Sequence, residues 1–348
     1  MAVTMMDIAR DLNVSVVTVS KVLRNQGKIS TATRQRVLRR AKQLNYQMNW
    51  VARSLVTRRT YTIGLLLPEF IHPFFAEIAR AAAQTLRPHG YHVITSYFDE
   101  DPELELSEAD ALLARQVDGL IIASSQPVRR LDLFRRIQER DVPFVLVDRP
   151  IPGLRACFVG SDNLAIGRLA TEHLIKRGCF RIGHLRGPGI GIANERLDGY
   201  RKALLKHGLR SSPRYVFDGG RGDETGYEGM CQLLRVRPML DGVCCFNDPV
   251  AIGATKAIQH AGLRVPHDIA VVGAGNVRYS DVLAVPLTTV DQGTCQMGTR
   301  AAKLLLERIG RKHPMRPEKI LIPPQLVERE STARVPEKLT GRPAISRC

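Results

Sequence analysis

Met5, Ile8, Ala9 and Leu12 recur at three- and four-residue spacing and form one apolar face. Thr4, with Asp7 three positions on, has the pattern of a capping box, so the first element reads as a short helix. Asn13 and Val14 break that pattern. Ser15 can cap a second helix in which Val19, Val22 and Leu23 face inward. A third helix begins near Ser30 and carries Val37, Ala41 and Leu44 on one side. From Tyr61 the pattern changes to short apolar runs separated by helical stretches: YTIGLLLP, YHVITSY, VDGLIIAS, PFVLVD, CFRIGHL, DGVCCF and IAVVG. Such alternation builds parallel sheets from βαβ units, and ligands of those sheets bind beyond the carboxyl ends of the strands. The positions to inspect are therefore residues 68–75, Ser124 and Ser125, Asp148 and Arg149, Arg196, Asn247 and Asp248, and Gly275 and Asn276.

Charge sharpens the division. The chain of 348 residues has a formal net charge of +17, and residues 1–60 hold twelve Lys/Arg against Asp7 and Asp11, which is +10 of that total. A compact basic segment without acidic relief is the electrostatic footprint of a nucleic-acid-binding module. Three short helices with a tight turn between the first two match the helix-turn-helix plan, whose second helix enters the major groove. On that helix Val16, Val17, Ser20, Lys21 and Arg24 are left outside. Lys21 could donate to guanine O6 or N7, and the valine methyls could pack on thymine methyl groups. Two exposed valines are also ordinary surface scatter when taken alone. Ser15, Thr18, Ser30 and Tyr46 are placed for phosphate contacts, which set register without reading sequence.

Other classes find less support. The start MAVTMMDIARDL lacks a signal-peptide pattern and the longest apolar runs fall short of a membrane span, so a cytoplasmic protein is expected, nucleoid-associated when on its operator. The seven cysteines are scattered without a Cys-x-x-Cys pair and read as reduced thiols. GPGIG at 187–191 does not complete a dinucleotide loop, and there is no Walker sequence, HExxH or GxSxG. No enzyme activity, metal or cofactor is expected. A periplasmic solute-binding protein would fit the second half alone, but not the basic first part.

The segment VTMMDIARDLNVSVVTVSKVLRNQGKISTATRQRVLRRAKQLNY resembles the headpiece of the lactose/galactose repressor (LacI/GalR) family, and NWVARSL at 49–55 resembles its hinge helix. The resemblance implies that Asn49, Ala52 and Arg53 contact the minor groove and backbone and that Leu55 wedges between central base pairs. Apolar wedges of this kind trade unstacking for a bent duplex that meets more protein. Trp50 departs from the smaller residue usual there. IHPFFAEI, VDGLII, SDNLAIG, ERLDGY, FNDPVAIGA and LRVPHDIAVVG are similar to signatures of the family's sensor domain. That likeness implies an N-terminal all-α helix-turn-helix headpiece (1–48), a hinge and linker (49–60), and a two-lobed α/β domain like periplasmic binding proteins (61–332) for effector binding and dimerisation, with a basic tail (333–348). The helix QMGTRAAKLLLERI and the strand EKILIP are expected to return to the first lobe. The implied function is a repressor acting as a homodimer on a pseudo-palindromic operator in double-stranded DNA, its affinity controlled by a sugar or sugar acid. In the pocket Arg196 would clamp a carboxylate or hydroxyl pair, Asn247 and Asp248 would orient polar ligand edges, and Phe74 and Phe75 would supply an apolar wall. Ser124, Asp148, Gly275 and Asn276 complete the expected effector set. A salt bridge is the other reading of Arg196, and a capping or hinge role that of Asp148 and Asp162. The family commonly has an acidic residue at the place of Gly275, and its loss leaves room for an anionic effector.

Overall fold

The first helix forms because its ends are satisfied locally. In the computed structural model, which describes residues 3–23, 27–46, 54, 57, 59–127, 130–189, 191–311 and 316–333, α1 (Met5–Leu12) carries a reciprocal capping box between Thr4 and Asp7. It stops at Asn13, whose left-handed backbone (φ 52°) closes the turn. The Ser15 hydroxyl accepts from Thr18 N–H at 3.0 Å at the start of α2 (Val16–Leu23), and Ser30 accepts from Thr33 N–H at 3.2 Å ahead of α3 (Thr31–Gln43). These helices enclose a small core of Ile8, Ala9, Val19, Val22 and Val37, and Arg40 pairs with Asp11 at 2.5 Å. The chain divides into two compact units, Met1–Thr60 and Tyr61–Cys348.

The second unit contains two six-stranded sheets. The first comprises β1 (Thr62–Leu67), β2 (His92–Tyr97), β3 (Gly119–Ile122), β4 (Phe144–Val147), β5 (Cys157–Ser161) and β11 (Lys319–Ile322), in the order β11-β5-β4-β3-β1-β2, all parallel. The second holds β6 (Ile182–Arg186), β7 (Val216–Asp218), β8 (Gly242–Cys245), β9 (Ala270–Ala274), β10 (Thr288–Asp291) and β12 (Gln325–Val327), in the order β12-β10-β9-β8-β6-β7. Only β12, which no apolar pattern marked, runs antiparallel to its neighbour. Strands buried on both faces explain the continuous apolar runs. Ile63, Leu65 and Leu67 pack into one core while Leu66 enters the core on the opposite face.

The chain passes between the sheets three times: from β5 into α7 (Asn163–Lys176), from β10 into α11 (Thr294–Arg308), and from β11 into β12. Helix α11 packs on α4 (Pro73–Leu86) of the first lobe through Gly298, where a Cβ would lie 2.4 Å from the Ile78 carbonyl oxygen. Helix α8 (Gly191–Lys206) lies against α7 with similar intimacy: a Cβ at Gly167 would sit 2.0 Å from the Arg196 carbonyl oxygen. That approach holds Arg196 beside Asn163. The remaining helices, α5 (Pro102–Ala114), α6 (Asp132–Glu139), α9 (Asp223–Leu234) and α10 (Asp248–His260), cover the sheet faces. The segment after β12 is anchored by Ser331, which accepts from Thr288 N–H at 2.8 Å and donates to the Val271 carbonyl at 2.6 Å. The tail from residue 334 lies outside the described residues. Among those residues, no helix is long and apolar enough to cross a membrane.

Candidate functional site

Two surfaces carry the candidate chemistry. In the headpiece, Val17 is 62% exposed, and Val16, Lys21, Ser15 and Ser30 are also exposed. Thr18 and Tyr46 are half-buried. Ser20 departs from the expectation: it is only 7% exposed, because its small side chain lies on the shoulder of the stripe formed by Val19, Val22 and Leu23 and is covered with it. Ser15 and Ser30 use their hydroxyls as caps. Burial raises the Tyr46 phenol pKa. Arg24, Asn49, Trp50, Ala52, Arg53 and Leu55 lie outside the described residues.

In the second unit a cleft opens between the two sheets, where the carboxyl ends of their strands converge. Its first-lobe wall is Glu69, His72, Phe74, Phe75, Asp148 and Arg149, and its second-lobe wall is Ile192, Arg196, Arg221, Phe246, Asn247 and Gln292. Phe74 and Phe75 meet edge to face at 5.1 Å. Asp148 follows β4 with a left-handed backbone (φ 66°), and burial raises its pKa.

Arg196, on α8, is 3% exposed. Its Nε donates to Asn163 Oδ1 at 2.9 Å, one Nη to the Phe246 carbonyl at 2.5 Å and the other to Gln292 Oε1 at 2.7 Å, while the guanidinium stacks over the Phe246 ring at 4.7 Å. Burial lowers its pKa to about 10. Asn163 lies on the first passage between the sheets and Gln292 on the second, and Ser161 donates to the Gln292 carbonyl between them. One cleft-lining side chain thus grips two of the segments that join the lobes.

Contacts also span the cleft. Glu100 receives two hydrogen bonds from Arg149, at 2.6 and 2.7 Å, and pairs with Arg221 of the other lobe at 3.1 Å. Burial opposes ionisation of Glu100, but Arg149, Ser125 and Arg221 prevail and its pKa is lowered. His72 accepts at Nδ1 from Phe74 N–H at 3.2 Å, and its Nε2 lies 3.3 Å from Asn247 Nδ2. Burial, followed by Arg196, Arg149 and Arg221, lowers its pKa to about 4, so the imidazole is neutral at physiological pH.

Several expected residues sit elsewhere. Asp248 is 0% exposed and faces away from the cleft: it accepts from Val277 N–H at 2.9 Å, Ser280 Oγ at 3.1 Å and Thr289 Oγ1 at 2.5 Å, so a ligand-orienting carboxylate is not what this geometry offers. It starts α10 one residue after the Asn247 cap, and that register turns it into the sheet. Gly275 and Asn276 are absent from the cleft lining, and Asn276 instead accepts from Arg329 at 2.7 Å and donates to Asp291 at 3.0 Å. Ser124 is buried, accepts from Gln126 N–H at 3.0 Å and borders an adjoining cavity with Arg149 and Ile192. Glu69 and His72 fall within the stretch 68–75 marked for inspection, without a role assigned there, whereas Arg221, Gln292 and Glu100 were not foreseen. The strand-end rule reaches Glu100 and Arg221, which follow β2 and β7, but β7 spans three residues and leaves no readable pattern.

Comparison with known proteins agrees with both surfaces. Residues 4–49 match the model of bacterial regulatory proteins of the lacI family, and residues 171–332 match that of the periplasmic binding protein-like domain. The chain is 35% identical over 330 residues to the ribose operon repressor of Halalkalibacterium halodurans, covering 94% of this chain and 97% of that protein. Among solved structures, the transcriptional regulator CelR in complex with cellobiose is 31% identical with a TM-score of 0.72, covering 94% and 99% of the two chains. The lac repressor dimer bound to operator and an anti-inducer is 28% identical with a TM-score of 0.82, covering 95% and 99%. A capped three-helix headpiece, a two-sheet sensor with a polar cleft, and likeness over nearly the whole length of these proteins together show that the chain belongs to the lacI family, as an effector-controlled, DNA-binding transcriptional regulator and not an enzyme.

Proposed function

We propose that the protein is a cytoplasmic homodimeric repressor. In this reading residues 1–48 contact a pseudo-palindromic operator, 49–60 form the hinge, 61–332 bind a small polyhydroxylated effector and dimerise, and 333–348 are a basic tail. Val16, Val17, Lys21 and Arg24 address bases, Ser15, Thr18, Ser30 and Tyr46 address phosphates, and Asn49, Ala52, Arg53 and Leu55 act in the minor groove. The ribose operon repressor and the cellobiose complex support a carbohydrate-type effector. A sheet-end cleft with an apolar ring wall and several convergent polar groups suits such a ligand.

The observation that carries this reading is Arg196, which lines the cleft and holds Asn163 and Gln292 on two of the passages between the lobes. A ligand that draws on this guanidinium changes how the passages are held, and with them the lobe angle that sets the grip on DNA. Family-scale coupling of this kind amounts to about 1–3 kcal/mol. Operator titrations with and without effector test it: Arg196→Gln is expected to abolish the response while operator binding persists. A normal response in that variant would remove Arg196 from the coupling.

A further inference from the structure

The charge on the cleft is polarised. On the first-lobe wall Arg149 pairs with Glu100 and, at 3.7 Å, with Asp148, and Glu69 adds a further carboxyl group. The second-lobe wall has two guanidinium groups and no carboxylate: its lining is Ile192, Arg196, Arg221, Phe246, Asn247 and Gln292. The nearby carboxylate of that lobe, Asp248, is spent on Val277, Ser280 and Thr289, and Gly275 offers no side chain.

Arg196 is the telling group. It is 3% exposed, and the acceptors that hold it are all neutral: an Asn oxygen, a Gln oxygen and a backbone carbonyl. Among the described residues no carboxylate lies within ion-pair distance of it. A guanidinium taken out of water without an anion is costly, and a guanidinium has five N–H donors, more than the three engaged here. Arg221 repeats the theme, because its Nε is buried with no partner and its sole ion pair among the described residues is the 3.1 Å contact with Glu100 across the cleft. Glu100 reaches that place from a turn in which Asp99 and Glu100 are both left-handed (φ 46° and 61°), conformations that non-glycine residues adopt at a cost. A carboxylate is thus held over the cleft by strained backbone, facing an arginine of the opposite lobe.

Resting on the reading of this cleft as the effector site, we propose that the effector is a sugar acid: its carboxylate lies against Arg196 and Arg221, taking the place of Glu100 at Arg221, while its hydroxyls face Asp148 and Glu69 and its ring lies along Phe74, Phe75 and Phe246. A neutral sugar leaves Arg196 with no directly paired anion, only the longer-range attraction of Asp148 and Asp248. A carboxylate also matches guanidinium donors in geometry as well as charge.

Calorimetric titration of the full-length protein with compounds paired by carbon skeleton tests this directly: glucose, glucuronate and gluconate; galactose, galacturonate and galactonate; ribose and ribonate; with glucose 6-phosphate and ribose 5-phosphate as further arms. One acid is expected to bind about tenfold or more tightly than its neutral partner, in line with a charged hydrogen bond. Arg221→Gln should shrink that ratio severalfold, and Glu100→Gln should raise affinity for the same acid by freeing Arg221. A neutral sugar binding as tightly as its acids overturns the proposal, as does binding confined to the sugar phosphates or no binding by any acid. The reading beneath it fails separately: a neutral sugar that binds and shifts operator affinity leaves the regulator intact and sinks only the acid, whereas protein that binds no duplex sinks the regulator.

Discussion

The headpiece and the cleft both depend on arginine and lysine, and they use them in opposite ways. Residues 1–60 hold twelve basic side chains against two acids. Of these, Arg40 pairs with Asp11, while Lys21, Lys28, Arg39 and Lys42 are exposed on a unit whose buried core is five small or β-branched residues. In the cleft, Arg149 and Arg196 are buried, oriented by named acceptors and set in opposite lobes, each with large cores on both sheet faces. Solvated charge over a small core gives long-range attraction to a polyanion, which screens with salt. Buried, oriented charge gives short-range discrimination among small ligands. The comparison predicts that substitutions in the cleft change stability and ligand response, whereas those in the headpiece change DNA affinity and leave the sensor untouched.

The largest expected effect is at Asp248. Replacing it with Ala strands the Val277 N–H and the Ser280 and Thr289 hydroxyls in a buried site, and should cost about 3 kcal/mol or more in chemical denaturation of the second unit. A loss below about 1 kcal/mol would mean that these donors find other partners. Next comes Lys21→Ala, which leaves folding unchanged and should weaken operator binding by about 1–3 kcal/mol, with relaxed preference at one base pair in a binding-site selection. Equal weakening on all sequences would reassign Lys21 to a phosphate. The Leu55→Ala variant should reduce DNA bending and specific operator affinity, because without the wedge the duplex stays stacked and meets less protein surface. An unchanged bend angle in a circular-permutation assay would reject the wedge.

The last effect is that of pH, and it is confined to acid conditions. His184 is buried, stacks on Tyr200 and has both ring nitrogens unpartnered, and burial lowers its pKa from 6.5 to about 3. Between those values the unfolded chain binds a proton that the folded chain refuses, so its contribution is full above pH 6.5 and is lost as pH falls toward 3. His72, lowered to about 4, adds to the same slope. The melting temperature should therefore fall across this window, and His184→Phe should flatten the fall. An unaltered slope in that variant would place the titration elsewhere.

Much of this was legible in the sequence because the governing signals are local. The caps at Thr4, Ser15 and Ser30 act over three residues, and the apolar runs that became the inner strands are buried on both faces, unlike the edge strands β2 and β11. Strands β5, β7, β10 and β12 were not among the marked runs: β7 and β12 span three residues each and carry no period, and small or polar residues interrupt CFVGS in β5 and TTVD in β10. Ser20 was misjudged because its position on the shoulder of a helical stripe is decided by what packs over it. The site was harder to read. Arg196, Asn247, Asp148 and the two phenylalanines follow strands recognisable by pattern, but Asp248 turns inward one residue from Asn247, a consequence of helix register that composition does not reveal. Glu100 and Arg221 lie more than a hundred positions apart in the chain, and their pairing exists only once the two sheets face one another.

The central claim is that a basic headpiece holds duplex DNA and that occupancy of the cleft in the second unit tunes that hold. Affinity of the full-length protein for duplex fragments enriched from a random pool, titrated against salt with and without a sugar or sugar acid found to bind the protein, measures it in one experiment. The account predicts affinity that falls steeply with salt, over several decades between about 50 and 200 mM, and a ligand-dependent offset of about five- to 150-fold. Salt-insensitive attachment, or no attachment to any fragment under either condition, would contradict it.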